Sequence, residues 1–460
     1  MNLKNRMSQV IPRMDKQGAP GNTQPSAAAH GVTVVVTPEE QAWALTLHRR
    51  LVKVMDLSLI TSMSHDDACK QIHEVSQRLM AEEAMPLNEA SRRRVLKLIE
   101  DEVLGLGPLE PLLHDPTISD ILVNSADTVY VERHGKIEHS PVRFHNDAHL
   151  MNIIDRIVTR VGRRIDESSP MVDARLSDGS RVNAIIPPLA LDGPSLSIRR
   201  FSVERLKLDD LIGLETLNET MGEIIRGIVG ARLNILISGG TGSGKTTMLN
   251  VASGFIPPDE RIVTAEDSAE LQLQQPHTVR LETRPPNIEG KGEITLHHLV
   301  RNSLRMRPDR IVVGEVRGEE AVDMLQAMNT GHDGSLTTIH ANSPRDALFR
   351  LENMFAMAGY NMPIKAVRSQ IASAIDVVIQ LERMEDGRRR MISMQEVSGM
   401  EGDIITMSEI FRFDRTGIDE EGRVMGGFTT TGIVPRFLDK LHKRGFDIGY
   451  DIFGVNRQAG

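Results

Sequence analysis

NILISGGTGSGKTT, residues 234–247, decides the fold of this 460-residue chain. Asn234 to Ser238 read as an apolar strand, and a helix is expected after the glycines. Between them, Gly239-Gly240-Thr241-Gly242-Ser243-Gly244-Lys245-Thr246 matches the phosphate-loop pattern throughout. Glycines let the backbone curl so that successive N–H groups aim at one anion, and the helix N-terminus adds its positive end. Lys245 is then placed to reach the β- and γ-phosphates of ATP, and the Thr246 hydroxyl to ligate Mg2+. Thr247 offers a second hydroxyl near the α-phosphate.

Working outward, more apolar strands are expected at 262–265, 311–313 and 335–339, separated by helix-like segments. Strands alternating with helices imply a parallel sheet with its site at the strand carboxyl ends. Acids stand at two of those ends. Glu266, beside Asp267, is the first candidate for the general base that activates water, and Glu315, after Gly314, is a candidate Mg2+ or outer-shell ligand. The order of the two is open. His332 and His340 flank one strand and are candidates for sensing phosphate. Arg280 and Arg284 flank a short strand and are candidate nucleotide contacts. Arg181, Arg199 and Arg200 end the preceding domain, where one could neutralise the γ-phosphate. The run 388–390 is expected to face solvent.

Before the loop, residues 1–36 are rich in Gly, Pro, Ser, Ala, Gln and Asn and are expected to be a disordered tail; the run 32–36 could form a local strand. Residues 37–108 carry three cap signals, at Thr37, Ser64 and Asn88, and read as a helical bundle, packed on itself or used to dock a partner. Residues 109–202 read as an α+β domain, 203–210 as a linker, and 211–460 as the α/β domain with a β-rich extension. Net charge is −9 with few aromatics, which argues against a chain that holds nucleic acid mainly by charge. Cys69 is the only cysteine, so neither an intramolecular disulfide nor a cysteine zinc site can form. No stretch reaches the ~18 apolar residues of a membrane span.

Four runs then point to one family: LETRPPNIEG (281–290), RMRPDRIVVGEVRG (305–318), MNTGHDGS (328–335) and TIHANSPR (338–345). Together they resemble the type II/IV secretion and pilus "traffic" ATPases, with the tight-adherence (Flp/Tad) pilus assembly ATPases as the nearest subgroup. The resemblance is specific across about 105–380. It implies a RecA-like P-loop ATPase domain behind a PAS-like α+β domain, with ATP between the two. It also implies a homohexamer, cytoplasmic and peripheral at the inner membrane through platform proteins. By resemblance, 239–246 is the Walker A loop and Glu266 belongs to the Asp box. Gly314-Glu315 is then the Walker B element, and His332 with His340 marks the His box. Arg181 and Arg199 or Arg200 fall where the family places nucleotide-contacting arginines. A RecA-like nucleic-acid translocase is the rival reading, and a non-hydrolysing scaffold the third.

Overall fold

The apolar strands bury both faces. On β7 (Ile235–Gly239), Ile235 and Ile237 join one hydrophobic cluster while Leu236 joins another. Two more strands alternate the same way. Val312 of β10 (Arg310–Val316) faces the first cluster, and Ile311 and Val313 the second. Val377 and Ile379 of β12 (Val377–Arg383) face the first, and Val378 the second. A sheet covered on both faces is what parallel strands with crossover helices produce.

In the computed structural model, placement is described for residues 37–55, 63–83, 85–133, 135–201, 206–286 and 291–454. The expected tail, including 32–36, lies outside them. The remaining strands are β1 (Ile118–Ser125), β2 (Thr128–Arg133), β3 (Lys136–His139), β4 (Met171–Arg175), β5 (Arg181–Ile185), β6 (Ser195–Arg199), β8 (Ile262–Glu266), β9 (Thr278–Glu282), β11 (Leu336–Ile339), β13 (Arg389–Glu401), β14 (Ile404–Ile418) and β15 (Val424–Thr430). They form a six-stranded sheet ordered β3-β2-β1-β6-β5-β4 and a nine-stranded sheet ordered β15-β14-β13-β12-β7-β11-β10-β8-β9. In the larger sheet β12, β7, β11, β10, β8 and β9 run parallel, and β13 to β15 are antiparallel. The β-rich extension is thus continuous with the ATPase sheet.

The chain divides into two units. One runs through Ile118 and takes in Ser125–Val129 and Ser140–Ile157; the other takes in Ser119–Asn124, Tyr130–His139 and everything from Val158. In the first, helices α1 (Pro38–Val54), α2 (His65–Glu82) and α3 (Glu89–Val103) begin at caps on Thr37, Ser64 and Asn88. Their apolar stripes, among them Leu47, Leu51, Ile72, Val95 and Ile99, bury one another. In the second, the last residues of the expected linker are already helical, since a helix spans Leu208–Gly213. Residues 202–205 are not described. Among the described residues no helix is long and apolar enough to cross a membrane.

Candidate functional site

The P-loop lies where β7 passes into the helix Lys245–Ser253. Gly242 and Gly244 have φ of 71° and 93°, the left-handed region that a side chain resists. A Cβ on Gly239 would come within 2.6 Å of the Leu381 carbonyl oxygen, so glycine is required there for a steric reason too. Ser243 Oγ and Lys245 Nζ both donate to the Gly240 carbonyl, at 2.9 and 3.1 Å. Burial pulls the Lys245 ammonium below its ordinary pKa, opposed by the Glu315 carboxylate 4.0 Å away.

Glu315 reaches that position through an irregularity. The β10–β11 register shifts between Val313 and Val316, so Gly314 and Glu315 sit where the ladder is broken. Such a bulge re-aims side chains at a strand end. Thr338 Oγ1 closes the gap by donating to the Gly314 carbonyl at 2.8 Å.

Glu266 ends β8 and packs against Gly314, where an added Cβ would sit 3.1 Å from its Cγ. It is 2% exposed. Its Oε2 accepts from the amides of Glu270 and Leu271 at 2.7 and 2.8 Å. Its Oε1 is buried without a hydrogen-bond partner. Burial pushes this carboxyl up to about 7, even though the two amides and the Arg280 charge pull it down. A carboxylate with one oxygen anchored, the other open and a pKa near neutrality has the properties of a general base. Asp267, next to it, is spent on an ion pair with Arg317.

The other candidates separate. His340 follows the carboxyl end of β11 and so shares an end of the sheet with the P-loop. His332 precedes the amino end of β11, at the opposite end of the sheet, and is not brought to Lys245. Arg280 lies on the edge strand β9, four strands from β7, about 19 Å at the usual ~4.8 Å spacing. It neighbours Glu266 and not the P-loop. Arg284 donates to the Gly292 carbonyl at 2.8 Å. Arg181 pairs with Glu270 at 2.6 Å, and Arg199 with Asp120 at 3.1 Å. Arg181, Arg199 and Arg284 line a cleft of about 920 Å3 with Arg175, Asp267 and Arg317, which no P-loop residue borders. Arg200 does not line it.

A smaller cavity of about 320 Å3 does border the P-loop, at Ser243, Gly244 and Thr247, with Leu206, Leu211, Leu214 and Met248 as an apolar wall. Arg388 and Arg389 line it too; the solvent-facing reading of 388–390 holds for the exposed Arg389 and fails for the buried Arg390. Arg388 pairs with Glu215 at 2.5 Å. Arg389 Nε donates to the Gly242 carbonyl at 2.9 Å. Arg390 is buried, with its guanidinium 4.6 Å from the Phe413 ring centre. Asp386-Gly387 signals the hairpin turn ahead of them, but not its place beside the P-loop.

Among the described residues no group of three or more His, Cys, Asp or Glu could hold a metal. Thr246 and Glu315 offer hard oxygens, which suit an Mg2+ shared with phosphates and water rather than a closed protein cage.

A family described as type II/IV secretion system protein matches residues 102–410. A conjugal transfer protein of Mycobacterium tuberculosis (strain CDC 1551 / Oshkosh) is 39% identical over 331 residues, 71% of this chain and 93% of its own length. The conjugal transfer protein TrbB of Rhizobium radiobacter is 34% identical over 318 residues, 68% of this chain and 92% of its own. Among solved structures, the VirB11 ATPase of the Brucella suis type IV secretion system, in complex with sulphate, is 29% identical and covers 63% of this chain and 95% of that one, with a TM-score of 0.35. With its P-loop, both strand-end acids and more than half of its length inside that match, the chain belongs to the type II/IV secretion system ATPase family and is an ATP hydrolase.

Proposed function

We propose that the chain is the hexameric motor of a type IV secretion or pilus system, and within that class of a tight-adherence pilus. It would work at the cytoplasmic face of the inner membrane, through platform proteins. The observation that carries the ATPase half of this reading is Glu266, buried, half-anchored and held near neutrality against Gly314, with the next residue, Glu315, 4.0 Å from Lys245.

In this reading the triphosphate lies along 239–246, and the base and ribose enter the 320 Å3 cavity. Lys245 leaves Gly240 for the β- and γ-phosphates. Thr246 and Glu315 would hold Mg2+, which would neutralise phosphate charge when bound. Glu266 takes the proton of the attacking water through its unpaired Oε1. His340 is placed at the same sheet end to report on the γ-phosphate. The six-stranded sheet, read as a PAS-like domain, supplies Arg181, Arg199 or Arg200 when it closes on the nucleotide. Closure would hold with triphosphate and relax after hydrolysis.

The test is turnover of the purified full chain, alone and with the membrane platform protein, alongside its mass in solution. A six-subunit particle whose turnover rises with the platform supports the motor. Salt-sensitive binding of DNA with DNA-stimulated turnover would transfer the chain to the translocase class.

A further inference from the structure

The hairpin between β12 and β13 turns through 384–388 and is tightly fixed. Met384 donates its amide to the Arg388 carbonyl at 2.8 Å, and Gly387 to the Met384 carbonyl at 3.0 Å. The Asp386 carboxylate accepts from the amides of Arg388 and Val424, at 2.9 Å each. Across this hairpin Arg383 stands directly opposite Arg389. Like charges in that position repel. Among the described residues, neither arginine has a carboxylate within ion-pair distance, although its neighbours Arg388, Arg390 and Arg415 all do.

Both guanidinium groups reach the P-loop. Arg389 Nε donates to the Gly242 carbonyl at 2.9 Å, and its Cδ lies 3.3 Å from where a Gly244 Cβ would stand. Arg383 Nη2 donates to the Gly135 carbonyl at 2.9 Å, and its Nη1 lies 3.5 Å from where a Gly242 Cβ would stand. Arg389 also lines the 320 Å3 cavity that Gly244 and Thr247 border.

We propose that Arg383 and Arg389 are nucleotide-binding residues that grip the α-phosphate and ribose end of ATP from the C-terminal hairpin. The proposal rests on the reading that 239–246 hold the triphosphate. Two facing guanidiniums without a carboxylate are stabilised by a shared anion, and charge-assisted hydrogen bonds from arginine to phosphate are among the stronger ones. The Gly242 contact adds a positioning role. The C=O and N–H of a peptide point opposite ways, so fixing the Gly242 carbonyl also fixes the Ser243 amide. The hairpin thereby ties the antiparallel strands β13 to β15 to the state of the nucleotide site.

The α-phosphate and ribose are common to ATP and ADP, so both nucleotides depend on the pair equally. Calorimetric titration of the full chain with Mg-ATP and with Mg-ADP tests this. Arg389→Ala weakens both by about ten-fold, and Arg383→Ala by less. Arg389→Lys recovers part of the loss, since a point charge replaces a fork. In turnover, KM rises far more than kcat falls. Lys245→Ala serves as the control for the P-loop. If it loses binding while both arginine variants bind at parental strength, the pair is only a prop, whatever happens to the melting temperature, and the inference is overturned. A loss confined to ATP would also overturn it, by placing the pair at the γ-phosphate. If Lys245→Ala itself binds normally, the P-loop reading fails and takes the pair with it.

Discussion

At the amino ends of the parallel strands, Arg310 is fully buried and makes a bidentate pair with Glu260, at 2.6 and 3.2 Å, plus bonds to the carbonyls of Val229 and Gly334. Asn234 beside it accepts from the amides of Gly334 and Ser335 and donates to the Ala374 carbonyl. At the carboxyl ends of the same strands, Glu266 is equally buried but keeps one oxygen without a partner, and Lys245 spends its ammonium on a single carbonyl. Each end sets a buried glutamate near a basic residue, Arg310 being fully buried and Lys245 partly so. Between these two sets of residues, what differs is pairing: Arg310, Glu260 and Asn234 are all bonded, while Glu266 Oε1 has no partner. A buried polar group left unsatisfied is costly, and in the proposed reading the attacking water and the nucleotide complete the bonding at Glu266 and Lys245. The Arg310–Glu260–Asn234 set is a closed plate joining strand starts; the Lys245–Glu266 set is the proposed socket.

The largest effect that could break this contrast is at the socket. Lys245→Ala is expected to abolish turnover, a loss beyond about 10³-fold, and to weaken triphosphate binding while the melting temperature holds. Parental turnover in that variant would remove the socket. At the plate, Arg310→Ala leaves Glu260 buried with only Arg232 as a partner, at 3.1 Å. Breaking a buried pair this way costs about 3–5 kcal/mol in stability. Denaturant unfolding should show it, with turnover per folded molecule retained. Asn234→Ala frees two amides and a carbonyl and should cost about 1–3 kcal/mol in the same assay. A kinetic defect without a stability loss in either plate variant would erase the distinction between the ends.

The smallest effect sharpens the contrast through pH. Glu266 titrates near 7 when folded and near 4.5 when unfolded. Between those values the folded state holds the extra proton, so this group's contribution to stability falls as pH rises through the window. Activity has the opposite sign, because the base must be ionised. kcat/KM should therefore rise through an acid limb near pH 7. Arg280 pulls the Glu266 carboxyl down, so Arg280→Ala should move that limb upward by a fraction of a pH unit. An unmoved limb would leave Arg280 without a part in the site.

Much of the socket was legible in the sequence because its signals are local. The P-loop is one contiguous run, and the glycines at 242 and 244 adopt the positive φ that the pattern demands. Glu266 and Glu315 were legible as the acids ending apolar strands. What stayed hidden depends on strand order. β12 pairs with β7 across about 140 residues, and that pairing sets Arg389 on the P-loop. His332 and His340 flank β11 and so stand at opposite ends of the sheet, although the family resemblance groups them in one box. The plate was illegible for the same reason, since Arg310, Asn234 and Glu260 meet only when four strand starts align.

The most direct test of the socket is Glu266→Gln, measured for both Mg-ATP binding and turnover. The amide keeps the shape and can still occupy the pocket, but it cannot take a proton from water. The expected result is ATP bound with near-parental affinity and retained unhydrolysed, with turnover reduced by about 10²–10⁴-fold and the acid limb near pH 7 gone. Turnover at the parental rate with the limb intact would contradict the account and pass the role of base to Glu315.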